Sequence, residues 1–171
     1  MNQLECGRVQ IYTGDGKGKT TAALGLALRA LGYDLDVLML QFAKKLICAE
    51  HVAAERLGLR IVQATGPTPA ARADEIMGMA REALAGATGT AEPGRPVDVL
   101  ILDELGEAMR RGFVTRADVE ALLAIKPATT ELVLTGRGLL DLSDLADLVT
   151  EMVPHKHYFD EGLLARRGIE Y

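Results

Sequence analysis

The sequence predicts an α/β fold, an open and mostly parallel sheet with helices on both faces. Three observations predict it. Short apolar strands alternate with helical stretches along the whole chain. Packing rests on Ala, Leu and Val, with aromatic residues at 4% and no Trp, which suits helices laid on a buried parallel sheet. Three polar clusters fall at strand ends, where such sheets bind ligands: a Gly-rich run from Thr13, the pair Asp103-Glu104, and Thr135 to Gly138.

Taken in order, Arg8 to Tyr12 (RVQIY) reads as a short buried strand. Thr20 to Leu31 has a helical apolar period and stops at Gly32. Leu35 to Gln41 (LDVLMLQ) is the second strand, Glu50 to Leu57 a helix, and Leu59 to Ala64 (LRIVQA) the third strand. Thr65 to Pro69 (TGPTP) reads as a turn, and Arg72 to Leu84 as helix. Gly86 to Pro96 reads as a surface loop, too short for a domain boundary, so residues 1–171 are expected to form a single domain. Val97 to Leu102 (VDVLIL) is the fourth strand and runs into Asp103-Glu104. Thr115 followed by Asp118 resembles a capping box for a helix to Ile125. Glu131 to Leu134 is the fifth strand, Leu139 to Ala146 a helix, and Leu148 to Val153 a last strand.

A net charge of −5 argues against a nucleic-acid binder, which usually carries a basic face. An anionic ligand is instead held by a few local cations and backbone amides. Cys6 and Cys48 form no C-x-x-C pair, so neither a zinc site nor a disulfide framework is expected. No signal-peptide pattern and no membrane-length apolar run occurs, and a cytoplasmic protein is expected.

Thr13-Gly14-Asp15-Gly16-Lys17-Gly18-Lys19-Thr20-Thr21 is a variant Walker A loop between a strand and a helix. Thr13 stands where the strict pattern has its first Gly, and Gly14 and Gly16 supply the flexibility. Glycines let successive amides turn inward around phosphate oxygens, and the helix start adds its positive end. Lys19 is expected to neutralise the terminal phosphates, Thr20 to offer a hydroxyl to Mg²⁺, and Lys17 to add a second cation. Asp103-Glu104 reads as a Walker B end, one carboxylate reaching Mg²⁺ directly or through water. The fold class is therefore a P-loop NTPase (RecA-like) sheet binding ATP. Arg137, between two glycines, is placed to approach a ligand. Arg29 either faces solvent or joins the nucleotide site. Lys44 and Lys45 read as a solvated loop. His155 and His157 read as polar residues of a C-terminal surface, because two histidines without a third ligand make a weak metal signal.

The string GDGKGKTTAALGLALRALG is more specific than a generic P-loop. With VLMLQF at 37–42, ILDEL at 101–105, LTGRG at 134–138, KHYFD at 156–160 and GIEY at 168–171, it resembles the ATP:corrinoid (cobalamin) adenosyltransferases of the P-loop cobalamin-synthesis and corrinoid-salvage class. The resemblance implies a reaction: cobalt(I) of a corrinoid attacks the 5′ carbon of ATP, the adenosyl group moves to cobalt, and triphosphate leaves. For that reaction Lys19, Thr20, Glu104 and Arg137, read above from their motifs, are the expected catalytic set. The resemblance also implies a reversed ATP in the loop, a homodimer, and a separate reductant, often a flavoprotein. Two departures stand out. Only Met1 to Gly7 precede the first strand, where the family carries an extension covering the corrinoid, so that lid is expected to be missing or supplied otherwise. After the third strand the family shows Gly-Phe-Thr-Trp, and this chain reads Gly66-Pro67-Thr68-Pro69. Two other readings stay open: a P-loop ATPase or regulatory paralogue, and a carrier of ATP or corrinoid without turnover. The three readings differ in product: triphosphate for the transferase, orthophosphate for an ATPase, and neither for a carrier.

Overall fold

The computed structural model describes residues 3–42, 49–87 and 94–170. Lys44, Lys45 and Cys48 lie outside them, as does much of the loop expected between Gly86 and Pro96.

The strands are β1 (Val9–Thr13), β2 (Val37–Gln41), β3 (Arg60–Gln63), β4 (Val99–Asp103), β5 (Glu131–Thr135) and β6 (Leu148–Glu151). The helices are α1 (Lys19–Leu31), α2 (Ala49–Leu57), α3 (Pro69–Ala85), α4 (Leu105–Arg110) and α5 (Arg116–Ile125), with a 3₁₀ segment over Leu139–Leu145. The six strands form one sheet in the order β3-β2-β4-β5-β1-β6. Every pairing is parallel, so the expected mostly parallel sheet is wholly so.

Side chains alternate between two apolar layers because strand periodicity is two. On one face Ile11, Leu40, Leu102 and Leu134 meet Ile76, Met77 and Ala80 of α3 and Val119 and Leu122 of α5. On the other, Met39, Ile101 and Val133 meet Ala23, Ala27 and Ala30 of α1 and Ala54 of α2. Each large side chain fully buried here contributes about 1.5–3 kcal/mol of apolar burial. The methyl-sized contacts of α1 let that helix lie close to the sheet, which fixes where its first turn points.

Strand ends shift by one or two residues from the sequence reading, and four differences bear on the site. Helix α3 begins at Pro69 rather than Arg72, because the Thr68 hydroxyl accepts from the Ala71 amide (3.1 Å) and Pro suits a first helical position. Helix α4 was not anticipated, since six residues are too few to display a period. The segment after Gly138 is a tighter 3₁₀ helix, not an α-helix. Strand β6 ends at Glu151, where the chain turns against the Gly-rich loop.

Strand register brings the functional ends into a row. Gln41 pairs with Asp103, and Tyr12 with Thr135. Strand β5 stands between β1 and β4, so the Thr135 end lies between the Gly-rich loop and the acidic pair.

Candidate active site

The loop from Gly14 to Gly18 joins β1 to α1, and its path is dictated by close approach to the end of β6. The Gly16 amide donates to the Met152 carbonyl at 2.7 Å, and the Met152 amide donates to the Thr13 carbonyl at 2.9 Å. A Cβ on Gly14 or Gly16 would sit 2.5 or 2.6 Å from the Met152 oxygen, and Gly14 also has a φ of 93°. Both positions therefore require glycine. Thr13 is fully buried, and its hydroxyl accepts from the Leu139 amide (3.1 Å). This explains Thr in place of the first Gly: its side chain braces the loop from beneath and does not line the cleft.

Lys19 Nζ donates to the carbonyls of Gly14 and Gly16, both at 2.7 Å. The lysine thus closes the loop over itself, as an ammonium with three donors can do at a bend of this size. Burial lowers the Lys19 pKa, and nearby Arg137 lowers it further, against opposition from Glu104 and Asp15.

Behind the loop lies a saturated polar hub. Asp103 is 0% exposed. Its Oδ1 accepts from the hydroxyls of Thr20 and Thr135, each at 2.8 Å, and its Oδ2 from Gln41 Nε2 at 3.1 Å. Gln41 in turn accepts from Gln63 Nε2 at 3.1 Å. The Thr135 hydroxyl also accepts from the Glu104 amide at 3.0 Å. That bond holds Glu104 at a φ of 62°, left-handed and unusual for a residue with a side chain. The turn aims Glu104 into the cleft while Asp103 stays behind it.

Arg137 is carried by a turn that packs backbone to backbone against the start of α4. A Cβ on Gly106 would lie 2.2 Å from the Arg137 oxygen, and one on Gly136 would lie 2.4 Å from the Gly106 nitrogen. The exposed Arg137 Nε lies 3.6 Å from Asp15 Oδ1 across the mouth of the loop.

These elements enclose a cleft of about 590 Å³. Asp15, Gly16, Lys17, Gly18, Lys19, Thr20, Thr21, Glu104 and Arg137 line it. Of the sequence-expected residues, Gly14 backs the loop through its carbonyl, Thr13 lies beneath it, and Asp103 lies behind it. Arg29 is not brought there. It falls in the last turn of α1, about 15 Å along the axis from Lys19. It lines a separate hollow with Leu4, Leu26, Tyr33 and Glu131.

The sequence reading missed part of the wall. Glu50, Glu107, Tyr158, Ile169 and Glu170 also line the cleft, as does His157, which was read as surface. Lys17 Nζ donates to the Ile169 carbonyl at 3.0 Å. Glu170 accepts from Tyr158 and pairs with Arg166 (3.3 Å), and Arg166, then Tyr158, hold its pKa down to about 2. The only sequence signal for this strap was the motif likeness of residues 156–160 and 168–171, because no local pattern joins a tail to a loop 150 positions earlier.

Asp15, Glu50, Glu104, Glu107 and Glu170 line the cleft with Lys17, Lys19 and Arg137, and Glu107 and Glu170 are paired with Arg110, Arg111 and Arg166 beside it. The oxygens of Thr20 and Glu104 at its inner wall, with Asp103 behind Thr20, are the hard donors that Mg²⁺ prefers. Among the described residues no helix is long and apolar enough to cross a membrane.

Comparison with known proteins bears on the whole chain. Residues 5–171 match the family described as ATP:corrinoid adenosyltransferase BtuR/CobO/CobP. The corrinoid adenosyltransferase CobA of Salmonella typhimurium is 37% identical over 174 residues, covering 99% of this chain and 88% of that protein. The corrinoid adenosyltransferase of Escherichia coli K12 is 35% identical, with the same coverage. That of Pseudomonas aeruginosa is 31% identical, covering 98% of this chain and 85% of the relative. With a family match over nearly its full length and relatives of one name above 30% identity, the chain belongs to the ATP:corrinoid adenosyltransferase BtuR/CobO/CobP family.

Proposed function

We propose that this chain transfers the 5′-deoxyadenosyl group of ATP to the cobalt(I) of a corrinoid and releases triphosphate. Family membership supports the activity, and the cleft supports the assignment of roles. The observation that carries those roles is the loop Asp15–Thr21, which faces a cleft large enough for a whole triphosphate and lies opposite Arg137. In the reaction the cobalt(I) electron pair forms the Co–C bond as the C5′–O bond breaks, and the electrons of that bond leave on triphosphate. No proton need be removed from the nucleophile, so the chain's task is to hold and neutralise the leaving group. Lys19, Lys17, Arg137 and the loop amides do this, and they act most strongly where negative charge develops. The reaction therefore asks for no general base.

Mg²⁺ would fit the oxygen donors at the inner wall: Thr20 and Glu104 would hold it, with Asp103 orienting Thr20 from behind. Once bound it would supply positive charge beside the triphosphate as the leaving group develops its charge. The corrinoid is read as entering beside the Gly66–Pro69 loop. A homodimer, a flavoprotein reductant and a cytoplasmic setting complete the reading, as the family likeness suggests.

Incubation with ATP, Mg²⁺ and chemically reduced corrinoid tests it. The expected result is loss of the cobalt(I) spectrum with triphosphate formed in step. Orthophosphate without alkylated cobalt would mean an ATPase, and binding with neither product would mean a carrier.

A further inference from the structure

A second hollow adjoins the nucleotide cleft and shares Glu107 with it. It measures about 210 Å³ and is lined by Phe42, Pro69, Arg72, Ala73, Ala108, Arg111 and Phe113 as well as Glu107. Its elements are the end of β2, the first turn of α3 and both ends of α4, so it lies on the same carboxyl edge of the sheet as the Gly-rich loop.

Phe42, Pro69, Ala73, Ala108 and Phe113 give the hollow apolar surface beside arginines whose charge is only partly matched. Glu107 accepts from Arg110 (2.9 and 3.0 Å) and from Arg111 Nε (2.6 Å). Those two side chains hold the Glu107 pKa down to about 2, so one negative charge faces two positive ones at any working pH. Arg72 donates to the Gly66 carbonyl at 2.8 Å and makes no ion pair among the described residues. The terminal nitrogens of Arg111 and the second terminal nitrogen of Arg72 are donors left to spend at the rim. A guanidinium with spare donors beside phenylalanine rings fits an anionic group on a short apolar stem.

Resting on the reading that this chain acts on corrinoids, we propose that Arg72 and Arg111 clamp an anionic substituent on the corrinoid rim and set which corrinoids are preferred. The macrocycle bears acetate and propionate arms that are either free carboxylates or neutral amides, and a complete nucleotide loop adds a phosphodiester. The cobalt must stand over the C5′ of a nucleotide in the first cleft. A ring placed there extends its edge across Glu107 into the second hollow, with the stem of one arm on Phe42, Pro69 and Phe113. The chain therefore favours a corrinoid with an anionic rim over a neutral one.

The test compares kcat/KM for three corrinoids, each reduced beforehand to cobalt(I). Cobyrinic acid a,c-diamide carries free carboxylates, cobalamin carries a phosphodiester, and cobinamide carries neither. Transfer to cobinamide by the unmodified chain tests the underlying activity alone. For the clamp, Arg72→Gln and Arg111→Gln should each lower the preference for an anionic corrinoid over cobinamide about tenfold, the usual worth of a charge-assisted bond. Arg72→Lys, which keeps the charge, should restore part of it. Loss confined to the diamide assigns a carboxylate, and loss confined to cobalamin assigns the phosphodiester. Ratios that stay within twofold for both glutamine variants, while cobinamide is still adenosylated, would overturn the clamp and leave the activity standing.

Discussion

Lys19, Asp103 and Glu104 occupy three different positions in one network, and each gives a different expectation. Among the described residues Lys19 bonds to the two loop carbonyls of Gly14 and Gly16, so Lys19→Ala leaves the core untouched. Its loss should reduce kcat/KM for ATP by about a hundredfold or more, the scale for removing one donor to developing charge. The urea unfolding midpoint should hardly move, and wild-type kinetics would discredit the phosphate role. Asp103 accepts from Thr20, Thr135 and Gln41, and Gln41 in turn accepts from Gln63. In Asp103→Asn one of those acceptors becomes a donor facing another donor. Folding stability should drop by about 1–3 kcal/mol. Glu104→Gln should leave stability near wild type and shift the Mg²⁺ titration of activity to higher concentration. Identical stability and identical metal curves for the two amides would refute the division of roles. Legibility at this scale was uneven. Walker-type spacing picked out Lys19, Thr20 and both carboxylates, but which carboxylate faces the cleft depends on the left-handed turn at Glu104, and no residue type announces that turn.

At the scale of elements, helix ends were readable where a side chain does the capping. The Thr115 hydroxyl accepts from the Asp118 amide (3.2 Å) while the Asp118 carboxylate accepts from the Thr115 amide (2.8 Å), as the spacing predicted. Thr115→Ala should cost about 1 kcal/mol, read as a lower thermal midpoint. The pH dependence follows from Asp118, whose pKa is lowered first by the Thr115 hydroxyl. A carboxylate depressed in the folded state stabilises above its unfolded pKa, and that contribution fades as pH falls through the folded value. The difference between variant and parent should therefore shrink in acid below about pH 4; a constant difference down to pH 2 would show that the cap acts without the carboxylate. Helix α4 escaped notice for the opposite reason. It carries no cap side chain and is fixed by Gly106 against the Gly136–Arg137 backbone, a contact between distant segments.

Across the whole molecule, the sequence sets a Gly-rich loop that follows the family resemblance beside a departure after the third strand. The Gly-rich loop is kept, while Pro67 and Pro69 stand where family aromatics are expected. This stretch is stapled to α3: the Thr65 and Gly66 amides donate to Glu75 (3.1 and 2.9 Å), and Arg72 holds the Gly66 carbonyl. A rigid loop bearing Pro rings covers less area than Phe and Trp would. Exclusion of an axial ligand from cobalt(II) should accordingly be weaker. Adenosylation should be fast from chemically reduced cobalt(I) and slower with a mild flavoprotein reductant, and bound cobalt(II) should be mainly five-coordinate. Equal rates with a mainly four-coordinate spectrum would show that another residue performs the aromatics' task.

The sequence by itself determined a mostly parallel α/β sheet, the succession of its strands and of the helices long enough to show a period, the phosphate loop and the family resemblance. Those depend on periodicity and on short contiguous motifs, which local chemistry writes into neighbouring residues. Tertiary structure decided the rest. It put Arg29 at the far end of α1 and drew Glu107 and Glu170 into the nucleotide cleft. It buried Asp103 behind Thr20 and left Arg72 and Arg111 facing a shared hollow. Each of these turns on which strand ends lie side by side and on how closely two glycine turns approach, and contacts between residues far apart in the chain leave no local trace in the order of amino acids.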